Sequence, residues 1–178
     1  MRVSGVAEPM YLMAAVVADP AECEPLREQL RALPHLGPKL HWRELDARGK
    51  RTVVRRLAAM NLPHLLVAAA PLDHRKQERA RALCLERLCW ELHTRAVSRV
   101  VLESRTASLN QRDHDLIIRL RGKRSLPADV RVEIQQPSSE PMLWIPDQVL
   151  GAVGDAETGH PEWVAPLRAT LTRIDIRI

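Results

Sequence analysis

Arg99-Val100-Val101-Leu102-Glu103 is the stretch on which the reading of this chain turns. Three apolar residues, two of them β-branched, make a run too short for a free-standing helix, so it reads as a buried strand ending in a carboxylate. The segment before it, 74–97, reads as a long helix: Leu85, Leu88, Cys89 and Leu92 form one stripe, and Glu91 precedes Arg95 at i,i+4. Further upstream, 64–70 lies between Pro63 and Pro71 and reads as a second buried strand. Residues 48–60 read as a helix, with Val53, Val54, Leu57 and Met60 opposed by Arg48, Arg51, Arg55 and Arg56. Leu26, Leu30 and Leu33 give a helix over 24–33 that Pro34 stops. The apolar run 10–18, closed by Asp19-Pro20, reads as the first strand.

Downstream, Asn110 or Asp113 is expected to cap a helix carrying Leu116, Ile117 and Leu120 and ending near Gly122. Val130, Val132 and Ile134 alternate with Arg131, Glu133 and Gln135, a strand with one wet face near a sheet edge. Residues 137–141 read as a loop, 143–153 as a short apolar helix, 154–159 as a flexible link and 170–178 as a last strand. Strands alternating with helices predict an α/β fold, with a mixed sheet flanked by helices in a single domain and a C-terminal extension from about residue 155. The strands at 10–18, 64–70, 99–103 and 130–136 are expected to share one sheet, with the 74–97 helix across it.

Composition narrows the function classes. The 178 residues are 46% hydrophobic and 28% charged, which excludes general disorder. The longest apolar runs, 9–18 and 65–72, are about ten residues or fewer, against the ~20 a bilayer demands. No signal peptide is read at the start and no membrane partner is expected. Three cysteines without C-x-x-C spacing argue for a reducing, cytoplasmic setting. The net charge is +5, and 23 of the 27 basic residues are arginine. Coding bias accounts for much of that excess, but the balance permits a nucleic-acid partner. Gly-rich phosphate loops, G-x-S-x-G and H-E-x-x-H are all absent from the sequence.

Two carboxylates carry the candidate chemistry. Glu103 closes its strand, and α/β sheets gather ligands at the carboxyl ends of strands. Asp147 interrupts the apolar run 142–153, where a carboxylate needs a partner or a cation. Its other reading is a helix-start carboxylate that gains from the dipole and has no further task. In a two-metal site the two carboxylates are expected to approach within about 8 Å. His41 and Glu44 have H-x-x-E spacing, or else mark a polar helix start. His64 is expected to be a hydrogen-bonded core residue. Of Cys84 and Cys89, about 140° apart on a helix, one is expected in the core and neither as a ligand. Trp90 and Trp163 read as packing residues or interface anchors.

Glu140-Pro-Met-Leu-Trp-Ile-Pro-Asp-Gln-Val-Leu-Gly-Ala-Val153 resembles the last motif of the domain-of-unknown-function 3800 family. Arg99-Val-Val-Leu-Glu-Ser-Arg105 is similar to that family's strand ending in a carboxylate followed by arginine, and Leu40-His-Trp-Arg-Glu-Leu45 to its His-containing segment. The resemblance implies a ribonuclease-H-like fold and a metal-dependent nuclease linked to mobile elements or defence. It implies Glu103 and Asp147 as catalytic ligands of Mg²⁺ or Mn²⁺, Arg105 and Arg43 as contacts to DNA or RNA, and His41 and Glu44 as accessories. The chain departs from the family where its first strand ends in Asp-Glu-Ser-Gly: Arg2 and Val3 stand before Ser4-Gly5. Either the first carboxylate is lost and Arg2 repels the cation, or the start codon was placed too late. The alternative reading is a non-catalytic, degenerate ribonuclease-H-like module that binds nucleic acid or a protein partner.

Overall fold

Tyr11 to Val16 and His64 to Ala69 are paired residue for residue, and this antiparallel pair is the centre of the molecule. The computed structural model describes residues 1–3, 8–35 and 37–178; Ser4-Gly5, the end of the expected first motif, lies outside them. In chain order the strands are β1 (Arg2–Val3), β2 (Met10–Val16), β3 (His64–Ala70), β4 (Arg99–Glu103), β5 (Arg131–Gln135) and β6 (Leu171–Arg177). The α-helices are α1 (Cys23–Arg31), α2 (Ala47–Ala59), α3 (Gln77–His93), α4 (Ala107–Gly122) and α5 (Trp144–Glu157).

The fold is α/β with a mixed sheet, ordered β1-β2-β3-β6, in which only the β3–β6 contact is parallel. β3 is buried throughout except for its last residue, which its apolar sequence His-Leu-Leu-Val-Ala-Ala-Ala allows without alternation. Side chains on one face of the sheet, such as Leu12 and Leu66, pack with Leu26 and Leu30 of α1, Val53, Val54 and Leu57 of α2, and Ile145 and Val149 of α5. Those on the other face, such as Tyr11, Met13, Leu65 and Val67, pack with Cys84, Leu85 and Leu88 of α3 and Leu116, Ile117 and Leu120 of α4. Each such aliphatic side chain contributes roughly 1.5–3 kcal/mol on burial.

The expectation of one sheet is corrected. β4 and β5 pair in parallel as a separate two-stranded sheet. The reason is local: β1 pairs only with Met10 and Tyr11, and Met1 exchanges hydrogen bonds with Leu12. Among the described residues no strand lies between the rest of β2 and β4.

Smaller corrections have local causes too. Asn110 and Asp113 lie inside α4, whose N-cap is Thr106. Residues 154–157 belong to α5, which ends at Glu157; just past its cap Thr158, Gly159 has a φ of 105°, a conformation glycine adopts without strain. Both Cys84 and Cys89 are buried, because α3 packs on the sheet and on α4. Cys84 and Cys89 are held as thiols, burial pushing them up to about 12 and about 11. His64 is buried, but neither ring nitrogen has a hydrogen-bond partner among the described residues. Trp90 is exposed under Arg87, whereas Trp163 packs edge-on against Trp42. Trp42 is also why Gly151 is glycine: a Cβ there would lie 2.1 Å from the Trp42 Cγ.

Candidate functional site

The carboxyl end of β4 divides two kinds of charge. Val100 and Leu102 pack towards α3 and α4, so strand alternation turns Val101 and Glu103 to the α5 side. There Glu103 accepts a hydrogen bond from Lys39 Nζ at 2.9 Å. Asp147, in the first turn of α5, is half-buried, and its Oδ2 accepts from the Gln148 amide at 3.4 Å. Burial raises the Asp147 carboxyl above the ordinary aspartate value; Lys39 and His41 oppose that rise and Glu103 adds to it. Glu103, Asp147, Lys39 and His41 therefore form one electrostatic group. The Met1 ammonium belongs to it as well, pushed down to about 5 by burial and by Arg81.

Two residues further along the chain, Arg105 enters a different network. Its guanidinium donates to both Asp113 oxygens, to Glu78 at 2.9 Å and 3.2 Å, and to the Leu109 carbonyl. Arg81 makes a second two-point contact with Asp113, at 2.9 Å and 2.8 Å, and reaches the Tyr11 hydroxyl. Burial would lift the Asp113 carboxyl, but Arg81 and Arg105 hold it below the usual range. The Arg105 fork is thus filled by its own chain and fixes α4 to α3.

Arg43 and Glu44 are exposed on a 3-10 turn at Trp42–Glu44, and His41 precedes that turn in extended backbone. His41 acts on the Asp147 carboxyl. Arg2 pairs with Tyr11, whose side chain faces α3, so the register directs Arg2 away from the Asp147 side of the sheet.

Among the described residues no group of three or more His, Cys, Asp or Glu side chains converges. One of the two carboxylates already carries the Lys39 ammonium. Lys39 gave no sequence signal, because 64 residues separate it from Glu103.

A second feature lies on α2. Arg48, Arg51 and Arg55, at helical spacing with Arg56 beside them, line a shallow groove with Thr52. All four are exposed, and none has an acidic partner among the described residues. α2 packs on α5, so this basic face and the carboxylates lie on the same side of the sheet.

The chain matches no protein-family model, and no match was found among curated proteins or solved structures.

Proposed function

We propose that this chain is a catalytically impaired ribonuclease-H-like domain that binds nucleic acid through the arginine face of α2. The unpaired row of Arg48, Arg51, Arg55 and Arg56 carries the reading. Arg27, Arg81, Arg99, Arg105 and Arg173, by contrast, each carry an acidic partner. Four planar forks left free on one helix face suit two-point contacts to phosphate oxygens. Such contacts position a polyanion without reading its sequence, so DNA and RNA are both candidate ligands.

The impairment follows from the carboxylates. Glu103 and Asp147 share a side of the sheet, as the ribonuclease-H-like reading requires, but they are two where three were expected and Lys39 stands against one of them. The test is fluorescence anisotropy with labelled single- and double-stranded DNA and RNA, at several salt concentrations. Replacing Arg51 and Arg55 with Glu is expected to weaken binding at least tenfold and to lower the slope of log affinity against log salt by about 1 per lost phosphate contact. Unchanged affinity in that variant refutes the reading.

A second reading, a Mg²⁺- or Mn²⁺-dependent nuclease, is favoured by one observation: Asp147 makes no ion pair among the described residues, although it is half-buried next to Glu103. Mn²⁺ titration by calorimetry, run with nuclease assays, separates the two. Cation-dependent cleavage by the unmodified chain that Asp147→Asn abolishes would establish the second reading and overturn the impairment.

A further inference from the structure

β6 is an outer strand of the larger sheet, and among the described residues only β3 pairs with it. The direction of its backbone groups is fixed. The His64 N–H donates to the Thr170 carbonyl at 2.8 Å and the Ile178 N–H to the Ala70 carbonyl at 3.2 Å. In this parallel ladder the even-numbered residues of β6 therefore serve β3. Leu171, Arg173, Asp175 and Arg177 turn their N–H and C=O groups to the open edge.

The side chains alternate with the same period. Ile174 and Ile176 lie at the margin of the cluster formed with α3 and α4, and both stay half-buried. Leu171 joins the opposite cluster, and Arg173, Asp175 and Arg177 share its face, all three exposed. Arg173 donates to Asp175 at 2.9 Å and also pairs with Glu157 at the end of α5. The two basic groups, Arg173 and Arg177, balance the two acidic ones, Asp175 and Glu157, although the chain as a whole carries +5. This edge is therefore not repelled by a copy of itself.

An open strand edge templates another strand unless charge or shape blocks it. Here the charges specify a register instead. When two such edges meet around a two-fold axis perpendicular to the sheet, the axis must pass through one residue, because opposed side chains point to the same face. An axis through Arg173 or Asp175 sets that residue against its own charge. An axis through Ile174 sets Arg173 against Asp175 twice, Ile174 against itself and Thr172 against Ile176. An axis through Ile176 also opposes unlike charges, Asp175 and Arg177, but makes half as many hydrogen-bonded pairs. In the Ile174 register all of residues 171–177 are paired. The opposed residues Arg173 and Asp175, and likewise Leu171 and Arg177, are those whose backbone groups face outward, so each such pair exchanges two hydrogen bonds.

We propose that β6 is the contact edge of a homodimer, in which two copies of this chain join antiparallel, centred on Ile174, into one continuous sheet. Self-complementarity selects the occupant: one strand supplies both halves of each charge pair, and its arginine is already held in place by Glu157. The axis keeps the two α2 arginine faces on the same side of the joined sheet. That consequence matters only to the nucleic-acid reading, whereas the association rests on β6 alone.

The test is sedimentation equilibrium from about 10 µM to about 1 mM, a range suited to a small interface. The mass is expected to rise with concentration from 20.1 kDa towards twice that value. Asp175→Arg opposes two arginines and Arg173→Asp opposes two aspartates, so each variant alone should associate roughly tenfold more weakly or worse. Mixed together, the two variants oppose unlike charges at both positions and should associate within about threefold of the unmodified chain. In the unmodified chain, amide exchange followed by NMR should slow with concentration at Arg173, Asp175 and Arg177 and stay constant at Ile174 and Ile176, which are bonded to β3. Should either variant fail to melt cooperatively, this amide pattern decides alone. A monomer at about 1 mM, a dimer indifferent to both substitutions, a mixture no tighter than its components, or concentration-dependent protection that leaves Arg173 and Asp175 unchanged each overturns the proposal.

Discussion

Asp113 and Asp147 are both aspartates within helices that flank the end of β4, and the protein treats them oppositely. Asp113 is almost fully buried and held by two guanidinium groups, which keep it ionised. Asp147 has, among the described residues, only the long hydrogen bond from Gln148, with Lys39 and His41 acting on it from nearby, and burial raises its carboxyl. The difference shows that burial of a carboxylate alone does not mark a site. Where partners satisfy every lone pair, the group is structural; where they do not, the strain is available for a ligand.

The largest expected effect breaks the Asp113 side. Asp113→Ala leaves Arg81 and Arg105 facing each other without their shared anion and should cost about 3–5 kcal/mol, the range for opening a buried pair. Denaturant titration reads this directly, and a loss below about 1 kcal/mol would make Asp113 no more structural than Asp147.

Acid sharpens the contrast next. Asp113 contributes stability that is present above its unfolded value of 3.8 and lost as pH falls through its lower folded value. Asp147 has the opposite sign: its folded value is raised, so its contribution becomes more favourable as pH falls below that value. His64 must be separated from both. Burial lowers it to about 4 from 6.5, so its contribution is full above 6.5 and declines towards pH 4, by up to about 3 kcal/mol. In a His64→Phe variant, stability between pH 6.5 and 4 is expected to flatten markedly.

Asp147→Asn should change stability by no more than about 1 kcal/mol, since no ion pair among the described residues is broken. A cost near that of Asp113→Ala would mean that Asp147 is a structural group. Smallest of all is Lys39→Met, which removes the charge that opposes the rise at Asp147. Carboxyl ¹³C titration should find the Asp147 midpoint higher in that variant and the Asp113 midpoint unmoved.

Local pattern made the strands and helices legible: β3 matches its expected bounds, and α1, α2, β4 and β5 fall within a residue or two of theirs. The tail strand was also legible, but not its partner, because the β3–β6 pairing joins residues more than a hundred apart. Glu103 and Asp147 stood out as charges at a strand end and in an apolar run, and the structure brings them into one electrostatic group. Their environment was hidden for the same reason as the pairing. Lys39 and Arg81 meet their acids only after folding, and a cap-like Asp113 looks identical in sequence to a buried anchor. The separation of β4 and β5 from the larger sheet was hidden too, since apolar patterning specifies which residues form strands but not which strands are in contact.

Gly151 has a consequence for the charges although it carries none. It lies one helical turn beyond Asp147, and its missing side chain is what lets α5 rest on the Trp42 ring. Trp42 follows directly on Lys39-Leu40-His41, the segment that supplies Lys39 and His41, both of which act on Asp147. The spacing between that segment and the helix is thus set by the width of a hydrogen atom at position 151. A methyl group there works as a wedge that drives the tryptophan and the helix apart and carries Lys39 and His41 away from the carboxylate. Gly151→Ala would retune an acid four residues away by displacement alone, so the titration of Asp147 reports how tightly two uncharged surfaces are pressed together.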